Sequence, residues 1–252
     1  MTEYFGTALN WKQIPSINRH ETLLKILYQT ASGLNHIHQQ KMVNHNLEPC
    51  NILVDNLFNV KLYNYGLYHM TGCGDFVPFP ISDIKYLAPE RILGNHGNIK
   101  SDVWSLGLIM LEIILEINLW STLKFNQIAR KILSYCSGNN VLEKICREHD
   151  RMEVLKSLDV QLKDLLESCL STLSKSRPTP EEILQHSVFD KYFDTLDFSP
   201  APKDSIVNLS PLERLELNQV YYLWQLAGGD VHVELKREGL IRSEAPILTI
   251  PR

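Results

Sequence analysis

The sequence predicts a mainly α-helical fold, a helical bundle carrying one small β-hairpin. Three observations carry that expectation. Apolar residues recur at helical spacing in several separate stretches, and one of them, Val103 to Ile117, is apolar almost all round. The hairpin-like text is two short apolar runs, Asn51 to Val54 and Val60 to Leu62, parted by the turn-forming Asp55-Asn56, and the final EAPILTIPR looks extended.

In chain order, the first helix is expected from about Glu21 to Gln39. Leu23, Ile26, Leu27, Leu34 and Ile37 form its apolar stripe, and Asn18 followed by Glu21 has the form of a capping box. The hairpin follows. From Tyr68 to Ile84 the chain bears Gly, Pro and Asp without any period, which predicts a long loop of the kind compact domains reserve for function. The apolar helix from Val103 belongs at the centre of the bundle. Amphipathic helices are expected near Phe125–Cys136, Val141–His149, Val160–Leu173 and Pro180–His186. A Pro-, Asp- and Ser-richer stretch, 194–210, is expected to be a linker. Ser210-Pro211-Leu212-Glu213 then opens a last helix through YYLWQLA, stopped by Gly228-Gly229.

Composition narrows the function classes. A chain of 252 residues with 44% hydrophobic content can bury a sizeable core. The net charge of −4 and scattered Lys and Arg give no footprint for nucleic acid. Five cysteines without a C-x-x-C pair are expected to be free thiols in a reducing compartment. His36 and His38, two apart on a helix, point to different faces and make poor joint metal ligands. The N-terminus has no basic stretch followed by an apolar one, so no signal peptide is expected. The Val103–Ile117 run is short for a membrane span and carries Glu112 and Glu116. A cytoplasmic location is expected, with no transmembrane segment.

Five short motifs occur in a telling order: NHNLEPCN (Asn44–Asn51), NYG (Asn64–Gly66), YLAPE (Tyr86–Glu90), SDVWSLG (Ser101–Gly107) and a late arginine in SKSRPT, Arg177. Their succession resembles the C-terminal lobe of a protein kinase. The positions that would do chemistry depart from that family. The catalytic-loop Asp, a general base worth ~10²–10⁴ in rate, is Asn46, whose amide has no useful basicity. The metal-binding Asp of D-F-G is Asn64, a weaker anchor for hard Mg²⁺ than a carboxylate. Only Asn51 matches the metal-site pattern. The loop Lys is Glu48, the wrong sign for stabilising phosphate charge. The loop Arg is His45, which lacks the bidentate fork, so phosphorylation of Thr71 or Ser82 is not expected to act through it. No glycine-rich strand loop and no strand-borne Lys precede the first helix, so the N-lobe is expected to be absent or nearly so, and with it ATP/Mg binding.

What matches is scaffold. The resemblance implies that Glu90 pairs with Arg177 and that Asp102 binds backbone amides of the catalytic loop, both fold-holding contacts. Together these features identify a pseudokinase. GLYHMTGCGDFVPFPI, RPTPEEI and above all YYLWQLAGGDVHVEL look like the TBC-domain-containing kinase-like family. In that family a pseudokinase region precedes a TBC domain, a fold that supplies catalytic Arg and Gln in Rab GTPase-activating proteins, and a rhodanese-like domain comes last. The implied organisation is a kinase-like C-lobe over 1–193, a linker over 194–210 and an extension over 211–252 with a junction helix. The implied role is an inactive scaffold or adaptor in Rab-linked membrane trafficking and growth signalling. Its implied partners are proteins or following domains of the same polypeptide, with a peripheral place on endosomal membranes. The junction helix leaves little polar face, which fits packing against this chain's own lobe or, alternatively, docking on a partner or following domain with Tyr221, Tyr222 and Trp224 as anchors. The alternatives are a divergent kinase-like enzyme with residual ATP binding, a TBC-type activator whose catalytic part lies elsewhere, and a truncated gene product without independent function.

Overall fold

The computed structural model describes residues 6–63 and 83–193, apart from 96, 137 and 139, together with 196 and 198. It is mainly helical with a small antiparallel sheet. Strand β1 is Thr7–Ala8, β2 is Ile52–Val54 and β3 is Val60–Leu62, in the order β1-β2-β3. The β2–β3 hairpin falls where the apolar runs place it, with Leu53 opposite Lys61. Its turn is organised by Asp55, whose Oδ1 accepts the N–H groups of Leu57 and Asn59 at 2.8 Å each.

Helix α1, Arg19–Gln39, starts two residues before its expected beginning. The capping box expected of Asn18 does not form. Asn18 has ψ 31 rather than the extended geometry of an N-cap, and only its carbonyl takes part, accepting from Thr22 N–H at 2.9 Å. The start is held instead by Arg19, which donates to the Ile14 carbonyl at 3.0 Å and pairs with Glu116 at 3.1 Å. Gln29 Oε1 accepts the Val60 N–H at 2.6 Å, tying α1 to β3.

The remaining helices are α2 Pro89–Ile92, α3 Ile99–Leu115, α4 Phe125–Tyr135, α5 Val141–Glu148, α6 Met152–Ser157, α7 Val160–Cys169 and α8 Pro180–Leu184. The apolar run does form the central helix, α3, with Val103, Trp104, Leu106, Leu108, Met110 and Leu111 all buried. Burying each such side chain is worth ~1.5–3 kcal/mol, and α1, α7 and the chain before α2 pack around it. Asn98 caps α3, accepting from Lys100 N–H at 2.8 Å while Ser101 Oγ accepts back from Asn98 N–H at 3.2 Å. At α8, Thr179 and Glu182 make the same reciprocal cap behind Pro180.

After α8 an aromatic cluster of Phe189, Phe193 and Phe198 packs on Tyr28 in the middle of α1. Leu196 and Phe198, within the stretch expected to be a linker, both pack on the body. The expected junction helix with Tyr221, Tyr222 and Trp224 lies outside the described residues, as do Asn64, Thr71 and Ser82. Among the described residues no helix is long and apolar enough to cross a membrane.

Candidate functional site

The site is the loop Val43–Asn51, between α1 and β2. Its backbone is fixed from below by Asp102 in the first turn of α3. One carboxylate oxygen accepts the Asn44 N–H at 2.8 Å and the other the His45 N–H at 2.9 Å. His38 Nε2 meets Asp102 Oδ2 at 2.8 Å. Asp102 is 2% exposed, so three polar partners replace the water it has lost. His38 is the functional residue that sequence reasoning missed. Its spacing from His36 argues against a shared metal, but nothing local could reveal a carboxylate sixty-four positions away.

These contacts hold His45 at φ 59, a left-handed conformation that costs a side-chain-bearing residue ~1–3 kcal/mol. The ring lies against Gly97, where a Cβ would come within 2.5 Å of His45 Cε1. Gly97 is thus required by close approach. The strain is paid for by the amide bonds to Asp102.

Asn46 is buried. Its N–H donates to Asn44 Oδ1 at 2.9 Å, and its carbonyl accepts from Asn51 Nδ2 at 3.0 Å. Asn46 Oδ1 has no hydrogen-bond partner among the described residues. Asn51, also buried, sends its amide to Glu48 Oε1 as well, at 3.0 Å. Glu48 is the only carboxylate of the loop, and it is fully engaged. Oε1 also accepts from Cys50 Sγ at 3.1 Å, and Oε2 accepts the Asp83 N–H at 3.1 Å. Partial burial of the Cys50 thiol, and after it the Glu48 hydrogen bond and charge, push its pKa up to about 12. The loop therefore offers buried neutral amides and one occupied carboxylate. Asn46, Glu48 and Asn51 are brought together, while Asn64 lies outside the described residues.

The chain just after residue 82 is also gripped by Glu112, in α3 and 4% exposed. Tyr86 Oη donates to Glu112 at 2.6 Å, Lys85 Nζ lies 3.0 Å away, and Leu119 N–H donates at 2.7 Å. Burial foremost, with the Glu112 charge beside it, raises the Tyr86 hydroxyl well above its ordinary range, so it stays a donor. In the sequence Glu112 argued only against a membrane span. Its partners are distant in the chain, and no local pattern announces them.

Glu90 and Arg177 meet in a two-pronged ion pair, Nη1 to Oε1 at 2.7 Å and Nη2 to Oε2 at 2.8 Å. Arg177, 1% exposed, also donates to the Ser171 and Lys100 carbonyls at 2.8 and 3.0 Å and stacks on Trp104 at 5.1 Å. Burial alone would raise the Glu90 pKa, but the hydrogen bonds and charge of Arg177 outweigh it and hold the carboxyl below its ordinary value. Among the described residues no group of three or more His, Cys, Asp or Glu side chains could hold a metal ion.

Comparison with known proteins places this geometry. The family model "Protein kinase domain" matches residues 4–189. The chain is 32% identical to the TBC domain-containing protein kinase-like protein of Mus musculus, over 92% of this chain and 30% of that protein. It is 33% identical to the Homo sapiens protein of the same description, over 91% of this chain and 30% of that protein. It is also 28% identical to mitogen-activated protein kinase kinase 2 of Arabidopsis thaliana, over 68% of this chain and 46% of that protein. The chain thus spans less than a third of the length of the first two relatives.

Proposed function

The chain belongs to the protein kinase domain family, and from that premise we propose that it is a catalytically silent kinase-like scaffold that binds protein partners. One observation carries this reading: at the centre of the loop the residue in the base position is the amide Asn46, and the loop's own carboxylate, Glu48, is spent on Asn51, Cys50 and Asp83. An amide accepts no proton near neutral pH, and a carboxylate committed to three donors is a poor base. Anionic Glu48 also repels phosphate where a transferring enzyme stabilises it.

In this reading residues 1–193 form a kinase C-terminal lobe, followed by a linker over 194–210 and a junction segment over 211–252. Neither ATP nor Mg²⁺ is part of its work. The similarity to TBC domain-containing protein kinase-like proteins supports its placement as one part of a TBC-domain protein. Rab-linked membrane trafficking and growth signalling are the role that follows, with cytoplasmic protein partners and a peripheral, partner-mediated place on endosomal membranes. Tyr221, Tyr222 and Trp224 are the anchors proposed for partners or following domains, since large aromatic side chains dominate such contacts.

The test is a phosphate-transfer assay with labelled ATP and Mg²⁺ paired with a thermal-shift titration. No transfer above background is expected, and no stabilisation by ATP with or without Mg²⁺. A bound ligand at about 100 times its Kd would stabilise the chain by about 2.7 kcal/mol, well within reach of the method. Mg²⁺-dependent transfer abolished by Asn51→Ala would overturn the reading in favour of a divergent enzyme.

A further inference from the structure

The segment Asp83–Ala88 is held by two carboxylates, Glu48 at Asp83 and Glu112 at Lys85 and Tyr86. Beside Glu112, Ser105 Oγ donates to the Tyr86 carbonyl at 2.8 Å. Glu48 Oε2 accepts the Asp83 N–H at 3.1 Å while its other oxygen accepts from Asn51 and Cys50. Asp83 opens a short turn, its Oδ1 accepting from Lys85 N–H at 3.0 Å and its carbonyl from Tyr86 N–H at 3.0 Å. The Asp83 N–H is the first donor of that turn, and the residue that takes it lies thirty-five positions earlier.

We propose that Glu48 is a built-in latch: its carboxylate couples the loop 43–51 to the segment 83–88 and fixes their relative position without any bound or covalent phosphate. Three features of the geometry support this. The two oxygens are divided between the two segments, one facing the loop and one facing Asp83, so a single side chain spans the gap. The donors are an amide, a backbone N–H and a thiol, each of which makes a stronger hydrogen bond to an anion than to a neutral acceptor. The far end of the latched segment is already immobilised by Glu112, so closing the near end needs only one further contact. A cationic side chain at position 48 could accept from neither segment, and a neutral amide would bring one acceptor oxygen in place of two. The same carboxylate fills the space into which Asn51 and the Asp83 N–H converge, so the loop carries its own anion. The latch stands on these distances and does not depend on catalytic silence.

Amide hydrogen exchange on the full 252-residue chain tests it. In Glu48→Ala the Asp83 amide should exchange about tenfold faster or more, while the amides of Ile109 and Met110 in α3 keep their protection. In Glu48→Gln, which keeps the size and one acceptor, the acceleration should be smaller. If Glu48→Ala loses protection throughout α3, the Gln variant alone decides the matter. Unchanged exchange at Asp83 in whichever variant keeps its α3 protection overturns the latch. Faster exchange with no gain of phosphate transfer separates this outcome from any failure of the functional reading.

Discussion

The loop Val43–Asn51 and the frame that supports it make opposite use of charge. In the frame, Glu90 with Arg177, and Asp102 with His38 and two backbone amides, are ionic or charge-assisted contacts in which Arg177 and Asp102 are buried and each carboxylate has its donors. In the loop, Asn46 and Asn51 are neutral, and the one charge, Glu48, is turned inward onto neighbours. The frame would be costly to alter because each charge is desolvated and removing one partner strands the other. In the loop no buried charge is at stake at Asn46 or Asn51, and Asn51 finds its acceptors in the Asn46 carbonyl and Glu48. The architecture and the loop positions 46, 48 and 51 thus rest on different residues.

The largest effect expected from breaking this contrast lies in the frame. Arg177→Met should lower unfolding free energy by about 3–5 kcal/mol, because Glu90 and two carbonyls lose their donor in the interior. Urea denaturation measures it, and a loss below about 1 kcal/mol would mean that the pair is not a main support. Asp102→Asn keeps one acceptor for the loop amides and should cost about 1.5–3 kcal/mol. Asn46→Asp, by comparison, should restore no phosphate transfer, because Glu48 and the remaining positions are unchanged.

A further consequence is pH-dependent. The Glu90 carboxyl titrates below its ordinary value of 4.5 in the folded chain, so the unfolded chain binds its proton first as pH falls. The stability that ionised Glu90 contributes is fully present above 4.5 and is lost as pH falls through the lower folded value. The gap in stability between the wild-type chain and Glu90→Gln should therefore be constant near neutrality and shrink on acidification below 4.5. A gap that stays constant to pH 3 would show that the ion pair contributes nothing through Glu90's charge.

What the sequence discloses about this molecule follows the range of the interaction concerned. Helix α3 was legible because its apolar run is continuous, and the hairpin because Asp55-Asn56 marks the turn. Strand β1 was not, since Thr7–Ala8 is too short to carry a period and exists only by pairing with Leu53 and Val54. Helix α6, Met152–Ser157, is hidden for the same reason of length. At Asn18 a correct local signal met a backbone turned the wrong way, and Arg19 took over the work. Within the site, residue identities at 46, 48 and 51 were plain, but the inward turn of Glu48 needs the arrival of Asp83 from another segment. The buried partners of Glu112 and His38 needed the fold as well.

The smallest effect sharpens the contrast at Cys50, which is exposed in the sense of the residue but whose thiol is drawn against Glu48. With its pKa up to about 12, almost none of it is thiolate at pH 8, and thiolate is the reactive form. Alkylation by iodoacetamide, followed by peptide mass mapping, should be markedly slower at Cys50 than at a free cysteine in a short peptide. Buried Cys146 and Cys169 should stay unmodified in the folded chain. Glu48→Gln removes the charge that disfavours the thiolate but leaves the partial burial that is the larger cause, so Cys50 should react only several-fold faster. Stability in urea should change little in this variant compared with Arg177→Met. Equal Cys50 rates in both proteins would mean that the Glu48 carboxylate does not rest on the thiol in solution, and the inward-turned charge of the loop would lose its chemical signature.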